Sequence, residues 1–418
     1  MLETDASGTR RIYLNTAAGG LTVDAAGTAS GDFQLRSNPM PGAVSDGERV
    51  TSELHHRVRS KAAAFLNGRG PREISFHFSA TAALFSLAFA LRRKISDRDN
   101  IIVTDLDHMA NVSPWETAAA ELYRCPARRV RTTGDGRLNT DHLFSLADER
   151  TALLAVTLAS NGTGSLVPLQ GLVRELRRRS PECLVVVDAV HAAPHVPIDV
   201  GEMDCDFLVF SGYKLFGPML GVLWGKENLL AGLTPYRVET NKDLAPFKFE
   251  AGMLNNASLA ALEAAFDYLT WLTSQLGTTG AAPSDAARFR PALEAVREHE
   301  QTLSRRVLEG LAPLLDSGLV LHGLVSPERV SERVPTFLFE VNGLDATATK
   351  RSLWARHRIQ VADGNHYSAY VYRHLNRPEG VARASFGHYD DAAAADAFVE
   401  AVGELVRESK GHPGRRKE

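Results

Sequence analysis

The stretch CLVVVDAVHAAPHVPIDVGEMDCDFLVFSGYKLFGP, residues 183–218, decides the fold. It holds two short apolar runs, CLVVVDA (183–189) and FLVFS (207–211), joined by a segment rich in Pro, His and Asp. Near-continuous β-branched and aromatic runs of this length read as strands buried on both faces, since half-buried strands would alternate. Outward from this stretch, runs of the same kind recur at ISFHF (74–78), NIIVTDL (100–106), ALLAVTLA (152–159) and GVLWG (221–225). The spacing between them predicts helices over about 81–93, 114–123 and 167–179. Strands alternating with helices make a doubly wound, mostly parallel α/β sheet covered on both faces.

The remainder reads differently. A long apolar-periodic segment (256–275) is followed by GTTGAAPSDAA (277–287), a Gly/Ala/Pro/Ser-rich hinge before another helix at about 288–313. Strands near 318–322, 335–341 and 381–386, with helices near 345–356 and 391–407, form a smaller α+β unit. The expected organisation is a large α/β domain over 20–285 and a small α+β domain over 286–410 together with 1–19. Residues 411–418, carrying the basic run Arg415-Arg416-Lys417, read as a disordered, solvated tail.

Bulk properties exclude several classes. With 418 residues the chain can bury a large core, and 44% hydrophobic with 23% charged residues is ordinary for a globular enzyme. Lys and Arg number 47 against 50 Asp and Glu, so nothing marks a nucleic-acid or anionic-membrane partner. The start, MLETDASGTRRIYLN, has no apolar core of a signal peptide, and no run is long enough to span a bilayer. The three cysteines, Cys125, Cys183 and Cys205, are too few and too scattered for a disulfide framework or a metal cage. The expected setting is the reducing cytoplasm.

Chemistry concentrates where strands end, because ligands of open α/β sheets sit outside the carboxyl ends of the strands. Asp188 closes LVVVD, where a carboxylate is costly without a partner. Ser211-Gly212-Tyr213-Lys214 closes the next run, and Asn161 follows ALLAVTLAS. A lysine against an apolar wall can have a lowered pKa and act as an amine nucleophile. A carboxylate facing a pyridine nitrogen keeps that nitrogen protonated, making the ring an electron sink. Taken singly, Asp188 also reads as a helix cap and Lys214 as a solvated loop lysine.

Together these residues carry a resemblance. The stretch from Val185 to Pro218 is similar to the pyridoxal 5′-phosphate (PLP) signature of class V aminotransferases and cysteine desulfurases, and most of all to a cysteine desulfurase-like branch. The likeness continues in SNPMPGA (37–43), VTDLDHMANVSPWE (103–116), ASNGTGSLVP (159–168), FEAGMLNNASLAAL (249–262), DGNHYSAY (363–370) and ARASFGHYD (382–390). It implies a fold-type I enzyme, a homodimer with composite active sites, and PLP as cofactor. Lys214 resembles the Schiff-base lysine, Asp188 the pyridinium partner and His108 the histidine stacked on the cofactor ring. Asn161 and His191 match positions near the ring hydroxyl. Ser79, Ala80 and Thr81, at a helix N-terminus, fall on the phosphate loop, where backbone N–H groups and the helix dipole favour an anion. Ser211 and Tyr213 would add hydroxyls to that phosphate. Arg383 matches the arginine that clamps a substrate carboxylate, with Arg36 as the next candidate, and His366 and Tyr367 are further substrate contacts. His108 as a helix cap, His191 as a backbone partner and Arg383 as a structural ion pair are the plainer readings. No metal is expected.

Two departures shape the expected activity. Desulfurases carry their sulfur-accepting cysteine on the loop matching DGNHYSAY, and here Tyr367 stands near that position. No cysteine occurs after Cys205. Met253 stands where relatives have a threonine that reaches the neighbouring subunit's phosphate, a hydrogen bond Met cannot donate. The expectation is an amino-acid enzyme working through an external aldimine and Cα deprotonation. A C–S lyase acting on a cysteine derivative or S-conjugate, in secondary or sulfur metabolism, comes first. An epimerase, aminotransferase or PLP-dependent cyclase of a specialised amino acid is the alternative, and a true desulfurase is disfavoured.

Overall fold

The structure is a computed structural model that describes residues 4–37, 39–277 and 288–411. In chain order the strands are β1 (Ile12–Tyr13), β2 (Ile74–His77), β3 (Asn100–Thr104), β4 (Ala127–Val130), β5 (Thr151–Thr157), β6 (Leu184–Asp188), β7 (Phe207–Ser211), β8 (Gly221–Gly225), β9 (Leu319–His322), β10 (Thr336–Val341), β11 (Ile359–Gln360) and β12 (Ala382–Ser385). Seven of them form one sheet in the order β2-β8-β7-β6-β5-β3-β4. The β4–β3–β5–β6–β7 pairings are parallel, and β8 and β2 close one edge antiparallel. This is the mostly parallel α/β sheet that the apolar runs predict.

The sheet is buried because its strands offer no polar face. Every residue of β3, β7 and β8 is buried, as the continuous runs require. The covering helix Leu169–Arg179 buries Leu169, Leu172, Val173 and Leu176 at helical spacing and turns Arg177, Arg178 and Arg179 into its last turn, where they complement the helix dipole. One sheet strand escapes the apolar-run reading. β4 is Ala-Arg-Arg-Val at the sheet edge, with only Val130 buried, so it gives no hydrophobic signal.

Beyond the helix Asn256–Gln275, which matches the apolar-periodic segment, comes the helix Arg290–Leu311. The hinge reading falls largely on 278–287, and the tail reading on 412–418, both outside the described residues; Gly411 closes the helix Ala392–Gly411. A three-stranded antiparallel sheet, β12-β10-β9, packs with the helices Arg290–Leu311 and Ala392–Gly411 around Phe337, Phe339, Phe386 and Phe398. Three pairs among these rings meet nearly edge-on, with centroids 5.5 to 5.9 Å apart. The N-terminal β1 pairs in parallel with β11, and Ala17 N–H bonds Ser385 Oγ at 2.8 Å. The chain start is thereby tied to the smaller sheet. Among the described residues no helix is long and apolar enough to cross a membrane.

Candidate active site

The carboxyl ends of β5, β6 and β7 open on one cavity. Its wall includes Ser79, Thr81, His108, Asn161, Asp188, His191, Ser211, Tyr213 and Lys214, all anticipated from the sequence. The smaller sheet contributes from the other side. Thr336, the first residue of β10, meets His191 Nε2 at 3.0 Å, and Arg383 on β12 donates from Nη1 to the Asn161 carbonyl at 2.8 Å. The site therefore lies between the large sheet and the small unit.

Lys214 is buried at the end of β7. Burial pushes its amine below the usual lysine range, the Arg383 guanidinium pushes the same way, and Asp188 opposes both. Asp188 ends β6, and its Oδ1 accepts one bond from Val190 N–H at 2.8 Å. Burial raises its pKa, and the Val190 bond and the Lys214 charge oppose that rise only in part.

His108 combines two readings. Its Nδ1 accepts from Ala110 N–H at 3.0 Å, which caps a short turn and leaves Nε2 to carry the ring proton. Its ring also faces the cavity, and burial, followed by Lys214 and Arg383, lowers its pKa to about 4. The cap thus holds the ring neutral and oriented. His191 is buried, and burial, followed by His195, Lys214 and Arg383, lowers its pKa; its Nδ1 has no hydrogen-bond partner among the described residues.

At the opposite rim, Ser79 caps the helix Ala80–Ala90 by accepting from Ala82 N–H at 3.1 Å. Gly221 of β8 runs directly beneath this helix start, where a Cβ would lie 2.2 Å from the Ser79 carbonyl carbon. Only glycine lets the strand pass so close, and this fixes the N-terminus against the sheet.

Not every anticipated residue arrives as expected. The Asn161 side chain lines the cavity, but its amide is committed to the loop that follows Asp363. Nδ2 donates to the His366 carbonyl at 2.9 Å and Oδ1 accepts from Ser368 Oγ at 2.7 Å. His366 turns Nδ1 to Tyr372 Oη at 2.5 Å, and burial lowers its pKa to about 2. Tyr367 is largely exposed, with its ring centroid 5.5 Å from that of His108. Arg36 is not in the site. It lies in the last turn of the helix Asp24–Arg36, exposed and 3.6 Å from Asp32, away from the cavity that holds Lys214. Met253 is exposed on a separate apolar groove.

Sequence reasoning missed Asp107 and Thr336. Asp107 accepts from Thr104 Oγ1 and, at 2.7 Å, from Asn111 Nδ2, bracing the loop that carries His108; burial raises its pKa to about 8. The run IIVT is followed directly by Asp105, as LVVV is by Asp188, and Asp107 stands two residues further on. Thr336 gave no such signal, being one hydroxyl in a second apolar strand.

The Aminotransferase class-V family profile matches residues 12–278. The chain belongs to this family. A cysteine desulfurase of Pectobacterium atrosepticum is 31% identical over 364 residues, 84% of this chain and 82% of its own length. One from Klebsiella pneumoniae is 30% identical over 417 residues, 96% and 94% of the two lengths. Among solved structures, the cysteine desulfurase CsdA of Escherichia coli superposes with a TM-score of 0.79 at 25% identity, over 95% of each chain. The fold is also that of the apo cysteine desulfurase of Thermococcus onnurineus, with a TM-score of 0.83 over 95% of each chain. As a class V aminotransferase-family protein, the chain is an enzyme of a PLP-dependent family with the fold-type I architecture.

The residues present fit that cofactor. The buried Asp188 carboxyl, opposed only in part by Lys214, suits a protonated ring nitrogen; His191 Nδ1, without a hydrogen-bond partner among the described residues, suits a hydrogen-bonding group; and the capped helix start suits a phosphate.

Arg383 is buried, its Nη1 holds the Asn161 carbonyl and its Nε has no partner. A planar fork fixed at one corner can present its remaining N–H groups to a carboxylate as a pair. Arg383→Lys keeps the charge and loses the fork, so kcat/KM for α-amino acids should fall roughly 10²-fold, with KM raised and kcat lowered. Steady-state kinetics check this, and unchanged constants would assign the carboxylate elsewhere.

Proposed function

We propose that this enzyme cleaves the C–S bond of a cysteine derivative or S-conjugate by β-elimination. The observation that carries the reading is the absence of a thiol at the site beside an otherwise complete amino-acid-processing set. Where a desulfurase acceptor would stand there is Tyr367, whose phenol cannot hold a persulfide. Cys183 and Cys205 precede the first residues of β6 and β7, at the far ends of strands whose near ends carry Asp188 and Lys214. A five-residue strand spans about 17 Å. Burial also pushes both thiols up to about 12, and Cys125 is buried with its pKa raised.

PLP, when bound, supplies an aldehyde for the substrate amine and a ring that accepts the electron pair left when Cα loses its proton. Arg383 would orient the carboxylate, and Lys214, its neutral amine favoured by burial, would take the Cα proton. The C–S bond then breaks with its electron pair leaving on sulfur, which takes up a proton as a thiol. Hydrolysis of the released enamine gives pyruvate and ammonia, so atoms balance with one water consumed. Stoichiometric pyruvate, ammonia and thiol from an S-substituted cysteine support this reading. Enantiomer or keto acid without thiol would replace it by epimerisation or transamination.

The thiol-free reading makes a second demand. A variant with Cys125, Cys183 and Cys205 all changed to Ala should retain its PLP-dependent turnover, apart from packing losses. Mass spectrometry after incubation with cysteine should find no persulfide on the wild-type protein. Stoichiometric persulfide on one cysteine, with activity lost on its replacement, would restore the desulfurase reading.

The same proposal includes a homodimer. Phe78, Met219, Tyr236 and Met253 lie exposed around an apolar groove of about 500 Å³ that adjoins the helix start at Ser79. A patch of this kind beside a phosphate seat suits a second copy, and Met253 fits it as an apolar contact in place of a phosphate donor.

A further inference from the structure

The segment between Gly364 and Gly380 is a loop closed at its neck. Gly364 and Gly380 have φ of 103° and 90°, and a Cβ on Gly380 would stand 1.9 Å from the Gly364 carbonyl carbon. Gly380 is required by both its backbone angle and the close approach, and Gly364 by its backbone angle. The loop lies across the site. At its tip the Tyr367 carbonyl accepts from Met109 N–H at 2.7 Å, beside the two bonds to Asn161 already described. The tip is strained, since His366 and Tyr367 are consecutive non-glycine residues in the left-handed region, with φ of 49° and 57°.

A second cluster ties down the far end. His374 Nε2 meets Asp105 Oδ2 at 2.6 Å. Arg129 of β4 lies 3.4 Å from Asp105, pairs with Glu116, donates to Tyr370 Oη at 2.8 Å and stacks over the Tyr370 ring at 3.7 Å. Asp105 follows β3 and belongs to the loop carrying His108. Both ends of the strap therefore grip one short segment, 105–109. Beneath it, Arg383 is only 2% exposed. Its Nη1 holds the carbonyl of Asn161, the residue whose side chain the strap occupies, so freeing the guanidinium for a substrate carboxylate disturbs the same cluster.

We propose that residues 365–379 form a gate hinged at Gly364 and Gly380, and that Asp105, Arg129, His374 and Tyr370 are its latch. Opening breaks the latch and the Asn161 contacts and admits the amino acid; closing returns Tyr367 against His108. The latch residues touch neither cofactor nor reacting atoms and act as positioning residues for the tip. The inference rests on the reading of Arg383 as the carboxylate clamp, and its test separates the two.

Hydrogen exchange on the PLP-loaded enzyme, without amino acid, reads the latch directly. Asp105→Asn and His374→Ala should each speed exchange across 365–376 about tenfold, which corresponds to ~1.4 kcal/mol, with β5–β7 unchanged. His374 is partly exposed, so its variant keeps the test alive if Asp105→Asn misfolds. Stopped-flow absorbance with L-alanine should then show a faster bimolecular phase in the variants, while the slower unimolecular phase stays the same or slows. Wild-type strap amides exchanging as fast as unstructured ones would overturn the latch. Faster exchange with an unchanged bimolecular phase would overturn the gate. Failure of the C–S lyase reading alone would leave both measurements as they are.

Discussion

Lys214→Ala should lower turnover by roughly 10³-fold or more and replace the lysine-imine absorption of the PLP-loaded enzyme by that of unattached cofactor. The magnitude follows from two roles on one nitrogen. The amine is buried at the end of β7, and burial with Arg383 nearby favours its neutral form, which is both nucleophile and base. Alanine removes both and leaves the binding groups Asp188, His191 and Arg383 in place. Cofactor should therefore still bind, noncovalently and more weakly, so absorbance after gel filtration separates loss of attachment from loss of the fold. Added small amines should recover part of the lost rate, because they supply a base to an intact cavity. A variant that keeps an undiminished visible band and near-normal rates would move the attachment to another lysine.

The sequence made the centre of the site legible and its periphery much less so. Asp188, Lys214 and Asn161 stand at the ends of apolar runs, where ligands of such sheets bind, and it was the resemblance of the surrounding stretch that set their expected roles above a cap or a loop lysine. The same logic, applied to IIVTDLD, points to Asp105 first and reaches Asp107 only two residues later. The sheet was legible because strands buried on both faces advertise themselves, and β4, with two arginines among its four residues, does not. What stayed hidden depends on contacts between residues far apart in sequence. Nothing in ASNGTG says that the Asn161 amide will be occupied by residues 366 and 368, and nothing in PTFLFEV says that Thr336 will orient His191. Arg36 was only the next candidate after Arg383, and it lies exposed in the last turn of the helix Asp24–Arg36 beside Asp32.

Asp188→Asn should retain cofactor and covalent attachment yet lose roughly 10²–10³-fold in turnover, the scale set by removing one preorganised electrostatic partner. The change is nearly isosteric, and the Val190 N–H that Oδ1 now accepts can be received equally well by an amide oxygen, so the local fold should hold. What disappears is charge. In the wild type, burial raises the Asp188 pKa and the Val190 bond and Lys214 draw it back only in part. A protonated ring nitrogen would supply a further cation, and each partner would then stabilise the other's charged form in a cavity that screens poorly. An asparagine cannot hold that proton on the ring, and a neutral ring accepts the Cα electron pair poorly. The loss should therefore fall on the step after Cα–H is offered to Lys214, visible as a larger deuterium isotope effect with α-deuterated substrate. Binding should change little, because Arg383 and the helix start at Ser79 are untouched. Near wild-type turnover with cofactor fully bound would remove Asp188 from this role and leave it as a buried carboxyl whose raised pKa keeps it neutral.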